Sequence, residues 1–362
     1  MVKKTYDIAV IAGDGVGPEV VREGRRVLEA ASVLAGFGYR VTEFPFGAEH
    51  YLATGELMPE SALAEMRDFD AILLGAIGDP RVETGLLERA IVAGVRFGLD
   101  LYINLRPVKL YHRDLTPLKG KGPADIDMVF VRENTEDLYV GIHGFFKKGT
   151  ADEVALQEMV MTRKGVERAV RYAFELALHP SRRRRLTLVD KANALRGQDI
   201  WTRVFEHVGA EYPSVERQHA YIDAACMWMV KNPEWFDVVV VPNMFGDIIT
   251  DLGAAIQVGM GVAASGNIHP GATSMFEPIH GSAPKYAGKN VACPLAAVAA
   301  VQMMLDYIGE ERAADLVERS LATALATGKI RDLSTSSGIP TQRYTDIVLE
   351  ELRADSERPA TG

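Results

Sequence analysis

Residues 237–254 read DVVVVPNMFGDIITDLGA. The valine run reads as a strand, and the Gly-Asp after it opens a helical pattern in which Asp247 and Asp251 stand four residues apart. On a helix that spacing puts both carboxylates on one side. Like charges this close repel unless a cation or a basic partner lies between them. Two readings are open at this point. Oxygen-only ligands suit a hard divalent ion, Mg²⁺ or Mn²⁺, whereas an acid pair at a helix N-terminus answers the helix dipole.

Working outward, short apolar runs alternate with amphipathic segments. Strands are expected at 6–12, 39–46, 70–77, 101–111, 125–134, 186–193 and 236–243. Helices are expected at 17–32, 61–69, 86–98 and 165–177, after 243, and in two C-terminal stretches beginning PLAAVAAV and ERAADLV. Alternating strand and helix with short turns predicts an α/β fold with a largely parallel sheet. No internal repeat or low-complexity linker is visible, and the tail ADSERPATG is expected to fray.

The 362 residues allow two domains or one large unit, and 48% hydrophobic with 25% charged residues is ordinary for an enzyme. A net charge of −9 argues against nucleic acid as the main partner. The basic run Ser181-Arg-Arg-Arg-Arg185 reads as a solvated loop before a strand. Cys226 and Cys293, with no CxxC, read as inert half-buried thiols in a reducing compartment. With neither a signal-peptide stretch nor a run of about 18 apolar residues, a cytoplasmic location is expected and no membrane partner.

IAGDGVGPEV (11–20) invites a dinucleotide-binding reading and fails it. The fingerprint needs glycine at 13, 15 and 18, but residue 18 is proline, and Asp14 would face a pyrophosphate with like charge.

Other residues bear on the acid pair. Asp223 precedes an apolar segment, as a third oxygen ligand or as a helix cap. Lys191 closes the strand-like LTLVDK, at the strand end where open α/β sheets place ligands; it reads as a base or a plain surface lysine. Arg96, Arg106 and Arg132 can hold the carboxylates of a di- or tricarboxylate, and Tyr139 offers a phenolic proton. Together they suggest acid–base chemistry on an anionic hydroxy acid, and no activated Ser or Cys nucleophile is visible.

These stretches, with GAIGDP, LDLYINLRP, VRENTEDLY, VDKAN, IDAAC, ASGNIHPG and FEPIHGSAPKYAGK, closely resemble the metal-dependent β-decarboxylating dehydrogenases of the isocitrate/isopropylmalate type, in order and spacing over nearly the whole chain. The resemblance implies a two-domain fold that is not Rossmann, with a large open mixed sheet flanked by helices. It implies a nucleotide-binding first domain at 1–107 plus 262–362. A second domain at 108–261 would carry the metal acids and the interface of a homodimer that shares its active sites.

By the same resemblance, Arg96, Arg106 and Arg132 bind substrate carboxylates, and Asp247 and Asp251 hold Mg²⁺ or Mn²⁺. Asp223 and Lys191 would be supplied by the other subunit, and Lys191 and Tyr139 form the acid–base pair. The implied cofactor residues are Ile11, Asn193, Glu277, His280, Gly281, Ser282, Ala283, Lys285, Tyr286 and Cys293. Where NAD-specific relatives have aspartate this chain has Lys285, which would attract the extra phosphate of NADP; NAD and NADP both stay open. Substrate choice falls to the segment 86–98, where the apolar residues Ala90, Ile91, Val92 and Ala93 either wall a site that suits an isopropyl group on C3 better than a further carboxylate or merely pack the helix. Alternatives are D-malate or tartrate, isocitrate or homoisocitrate, and a catalytically silent regulatory subunit.

Overall fold

The computed structural model describes residues 4–357. It contains strands β1 (Thr5–Ile11), β2 (Gly38–Glu43), β3 (Ala71–Leu74), β4 (Ile103–Lys109), β5 (Asp127–Glu133), β6 (His143–Phe146), β7 (Val154–Gln157), β8 (Arg185–Asp190), β9 (Glu216–Tyr221), β10 (Val238–Val241), β11 (Ala264–Ile268) and β12 (Ser274–Pro278). Two compact units divide the chain: Met1–Leu101 with Leu110–Pro123 and Ala254–Gly362, and Tyr102–Lys109 with Ala124–Gly253.

In the first unit the strands lie in the order β2-β1-β3-β12-β11. All neighbours are parallel except β11, which runs antiparallel to β12. The helix Gly17–Ala35 buries Val20, Gly24, Val27, Leu28 and Ala31, a spacing that lines one face of a 3.6-residue repeat. Pro18 sits in its first turn, and Gly36, at φ 88°, ends it with an N–H donated to the Ser32 carbonyl. This helix packs against Leu295–Tyr307 and Thr341–Ser356. Ala9, Ile11, Ile72 and Leu74 form a core with Phe44, Met66, Ile91 and Val95.

The second unit orders its strands β4-β5-β10-β8-β9, parallel except for the β4–β5 pair. All four valines of β10 are buried, consistent with a central parallel strand. Helices Arg163–Ala177 and Asp199–Gly209 pack on this sheet, the first started by Thr162, whose hydroxyl accepts the Gly165 N–H at 2.9 Å. The hairpin β6–β7 stands apart as a two-stranded antiparallel ribbon.

The fold class is therefore as expected: mixed α/β, ten strands in the two main orders, helices packed on the sheets, and no Rossmann order. Several details differ. Strand β10 stops at Val241 and the next helix runs Asn243–Gln257, so Asp247 and Asp251 lie beyond its first turn. The dipole acts within the first turn, and so does not account for the pair. Segment 86–98 opens with a π-helical turn, Glu88–Ala93, before Gly94–Gly98. The arginine run is, as expected, a loop leading into β8, with Arg183 and Arg184 exposed, but it is also tied down. Arg182 pairs with Asp127 at 3.0 Å, Arg185 with Glu216 at 3.0 Å, and the Arg183 N–H donates to buried Asp237 at 2.7 Å. Of the tail expected to fray, Ala354–Ser356 are helical and 358–362 lie outside the described residues. Among the described residues no helix is long and apolar enough to cross a membrane.

Candidate active site

The second unit gathers three of the predicted side chains around one carboxylate, that of Asp247. Strands β4 and β5 pair with Asn104 opposite Arg132, and Arg106 two residues along points to the same face as Asn104. The Arg106 Nε donates to Asn104 Oδ1 at 2.6 Å and its Nη1 to Thr250 Oγ1 at 2.7 Å. Its Nη2 reaches Asp247 Oδ1 at 3.4 Å, and its Nη1 lies 3.8 Å from Asp251 Oδ1. Arg132 donates from Nε to Asn243 Oδ1 at 2.9 Å and from Nη1 to the same Asp247 oxygen. The Tyr139 hydroxyl donates to the other oxygen, Asp247 Oδ2, at 3.1 Å. Gly246 makes this approach possible: a Cβ there would fall 2.5 Å from Arg132 Cγ.

Both guanidinium side chains are almost fully buried, at 9% and 3% exposure, while Asp247 and Asp251 keep 42% and 67%. The arrangement is thus an acid pair opening to solvent above two buried, pre-oriented cations. Burial, and next the Asp247 charge, raise the Tyr139 pKa above its usual value.

Lys191 and Asp223 form a second pair in this unit, with Nζ donating to Oδ1 at 2.6 Å. The Lys191 ammonium holds the Asp223 carboxyl below its usual range. Asp223 is not the helix cap: Tyr221 occupies that position in front of Ile222–Lys231, and Asp223 lies in the first turn. Among the described residues no three His, Cys, Asp or Glu side chains gather as a metal site, so Asp223 does not join Asp247 and Asp251 within one chain. Asn193 lies exposed in the turn after β8.

In the first unit Arg96 donates to Glu277 at 2.9 Å, and Glu277 also accepts from Asn267 at 2.8 Å. Ile91 belongs to the core, with Ala90 and Val92 packed against it; Ala93 is half-buried. The loop after β12 lies against the glycine-rich turn, where the Val16 N–H donates to the Ser282 carbonyl at 2.8 Å. A Cβ on Gly15 would sit 2.0 Å from that oxygen. Asp14 is buried, and its two oxygens accept the Ala48 and Gly78 N–H groups at 2.6 and 2.8 Å.

Gly281, Ser282 and Ala283 line a cavity of about 400 Å³ with Gly78, Asp79 and Glu88. Nearby in sequence, the His280 Nε2 is buried without a hydrogen-bond partner. Lys285 is exposed, its ammonium 4.8 Å from the centre of the Tyr286 ring. Two expected residues are turned inward. Ile11 is fully buried in the core, and Cys293 is buried rather than half-buried, its thiol pushed up to about 12 by that burial.

Sequence reading missed Asn104, Thr250 and Asn243, which aim the two guanidinium groups. The first two carried a signal: Asn104 lies two residues from Arg106 on a strand, and Thr250 three from Asp247 on a helix.

The isocitrate/isopropylmalate dehydrogenase family model matches residues 7–348, and the chain belongs to that family. It is 50% identical over 329 residues to the 3-isopropylmalate dehydrogenase of Thermobifida fusca (strain YX), covering 90% of this chain and 92% of the relative. It is also 50% identical over 335 residues to that of Mycobacterium avium (strain 104), covering 91% and 97%. Among solved structures, isocitrate dehydrogenase from Methylococcus capsulatus matches with a TM-score of 0.86 at 35% identity, covering 96% of this chain and 99% of the other.

Proposed function

We propose that the protein oxidatively decarboxylates 3-isopropylmalate to 2-oxoisocaproate and CO₂ with reduction of NAD or NADP, the oxidative step of leucine biosynthesis, as a homodimer with shared active sites. The observation that carries the substrate is half identity, over nine-tenths of the chain, to relatives named for it.

The residues fit the chemistry. Asp247 and Asp251 form an all-oxygen donor pair that suits Mg²⁺ or Mn²⁺, with Asp223 of a second subunit as the further acid. A divalent ion held there supplies polarisation of the substrate hydroxyl and its neighbouring carboxylate, lowering the hydroxyl pKa. Arg106 and Arg132, already aimed by Asn104, Thr250 and Asn243, fix the substrate carboxylates together with Arg96. Lys191 takes the proton from the C2 hydroxyl, and Tyr139 delivers one to C3 after CO₂ is lost. The nicotinamide nucleotide is the hydride acceptor. The buried, unpartnered His280 Nε2 and the open Gly281-Ser282-Ala283 loop suit its adenosine part, and exposed Lys285 suits a 2′-phosphate. Val92 and Ala93 supply the apolar side toward the isopropyl group.

Exposed apolar side chains support the dimer. Phe145, Phe146 and Leu156 on the β6–β7 ribbon are 55%, 63% and 61% exposed, and a lone two-stranded ribbon is marginal in water.

The test is initial rates of NADH and NADPH formation with Mg²⁺ on 3-isopropylmalate, D-malate and isocitrate in parallel. A kcat/KM preference of ~100-fold for 3-isopropylmalate, about 2.7 kcal/mol, is expected. A preference for either other acid overturns the substrate, and no Mg²⁺-dependent turnover on any of them overturns the enzyme reading.

A further inference from the structure

Asp190 immediately precedes Lys191 and has no exposed surface. One of its oxygens accepts the Ala192 N–H at 3.0 Å and lies 3.1 Å from His219 Nε2; the other accepts the Thr202 hydroxyl at 3.2 Å. The Lys191 N–H itself donates to the side chain of Gln198, also fully buried, at 2.7 Å. The backbone on both sides of Lys191 is therefore tied to buried side chains, and only its ammonium is left to reach Asp223.

His219 bears on both members of that pair. It sits on β9, whose register with β8 sets Leu188 opposite His219 and Asp190 opposite Tyr221. Its ring meets the Tyr221 ring edge-on at 5.0 Å, and two residues after Tyr221 comes Asp223. The imidazole thus bridges the turn that presents Lys191 and the strand that leads into Asp223. The Asp190 carboxylate keeps the His219 pKa above its usual value against the cost of burial, with Glu206 adding to it. A half-buried histidine on an edge strand of polar sequence, bonded to a fully buried carboxylate, is more than surface decoration. Asp190 has other donors for its lone pairs, so His219 is not needed merely to satisfy it.

We propose that His219 is a positioning residue for Lys191: through Asp190 it locks the 190–193 turn so that the Lys191 side-chain nitrogen, Nζ, is held at the height of Asp223. This rests on the assignment of Lys191 as the group that accepts the hydroxyl proton. A proton acceptor displaced by about 1 Å loses up to roughly a hundredfold in rate while substrate affinity is largely kept. The loss therefore falls in kcat rather than in KM.

The experiment is a double-mutant cycle on the 362-residue chain with Mg²⁺ and saturating nucleotide, using His219→Leu, Lys191→Ala and both together. His219→Leu is expected to lower kcat roughly tenfold to a hundredfold, with KM for the hydroxy acid within about twofold. In the Lys191→Ala background it is expected to lower the residual rate no further. His219→Gln, which keeps a donor to Asp190, is expected to recover most of kcat, and it covers the case in which the leucine variant does not fold.

An equal fractional loss in both backgrounds shows a general structural role and overturns the proposal. So does a glutamine variant that is folded yet no better than leucine. If Lys191→Ala itself turns over at the wild-type rate, the assignment of Lys191 fails and the proposal falls with it. Loss in the single variant, with no further loss when it is added to Lys191→Ala, supports both.

Discussion

The Tyr139 hydroxyl and the Arg132 guanidinium grip opposite oxygens of the Asp247 carboxylate, the hydroxyl at 3.1 Å. Arg132 also faces the Tyr139 ring, 5.6 Å from its centre. Removing only the hydroxyl leaves this stacking intact. Tyr139→Phe is expected to lower kcat by about 10²–10⁴, the usual worth of a general acid, with little change in the Mg²⁺ concentration giving half-maximal rate. A wild-type kcat in the phenylalanine variant removes Tyr139 from the chemistry.

Asp247→Asn keeps the shape of the side chain and removes its charge. The expected outcome is loss of Mg²⁺-dependent turnover in a chain that still melts cooperatively. It leaves Arg106 and Arg132 buried with less counter-charge, so a modest loss of melting temperature accompanies it. Unchanged turnover rejects the metal assignment.

Asp14 tests the fold rather than the chemistry. Its carboxylate ties two backbone N–H groups, from Ala48 and Gly78, to the turn after β1. Asp14→Ala leaves both unsatisfied, at about 1–3 kcal/mol each before solvent or relaxation helps. Chemical denaturation is expected to show a loss of about 2–5 kcal/mol, whereas Asp14→Asn, which keeps one acceptor oxygen, loses less. An alanine variant as stable as the wild type rejects the tie.

Glu133 gives stability a pH dependence. Burial pushes its carboxyl from the ordinary 4.5 to about 7, against the pull of the Thr135 and Glu136 N–H donors. The folded chain then holds this proton more tightly than the unfolded chain does. The group's stabilisation is full below about 4.5 and is lost as pH rises through about 7. Glu133→Gln carries no such slope, though it loses an acceptor for one N–H. The melting temperature of the variant relative to wild type is expected to climb between about pH 4.5 and 7 and then level off. A constant difference across that range shows that Glu133 ionises normally.

Much of this was legible in the residues. The four valines of β10, the 3.6-residue face of Gly17–Ala35 and the apolar β3 announce themselves, because buried elements need continuous or periodic apolar residues. What escaped were elements without that signature. Strand β9 reads ERQHAY and is nowhere fully buried, and β11 reads ASGNI, buried largely through polar and small side chains. The ribbon β6–β7 exposes its apolar residues, the reverse of what patterning assumes.

The site divides in the same way. Spacing by itself put Asp247 and Asp251 on one side of a helix, and residue type marked Arg96, Arg106 and Arg132 as holders of carboxylates and Tyr139 as a source of a proton, since those inferences depend on local geometry and side-chain chemistry alone. That Arg106 and Arg132 converge on Asp247, that Ile11 and Ile91 turn into the core, and that Asp190 links His219 to the Lys191 turn were decided by the tertiary structure. Strand register and close packing bring together residues over a hundred positions apart, and no local periodicity encodes which of them meet.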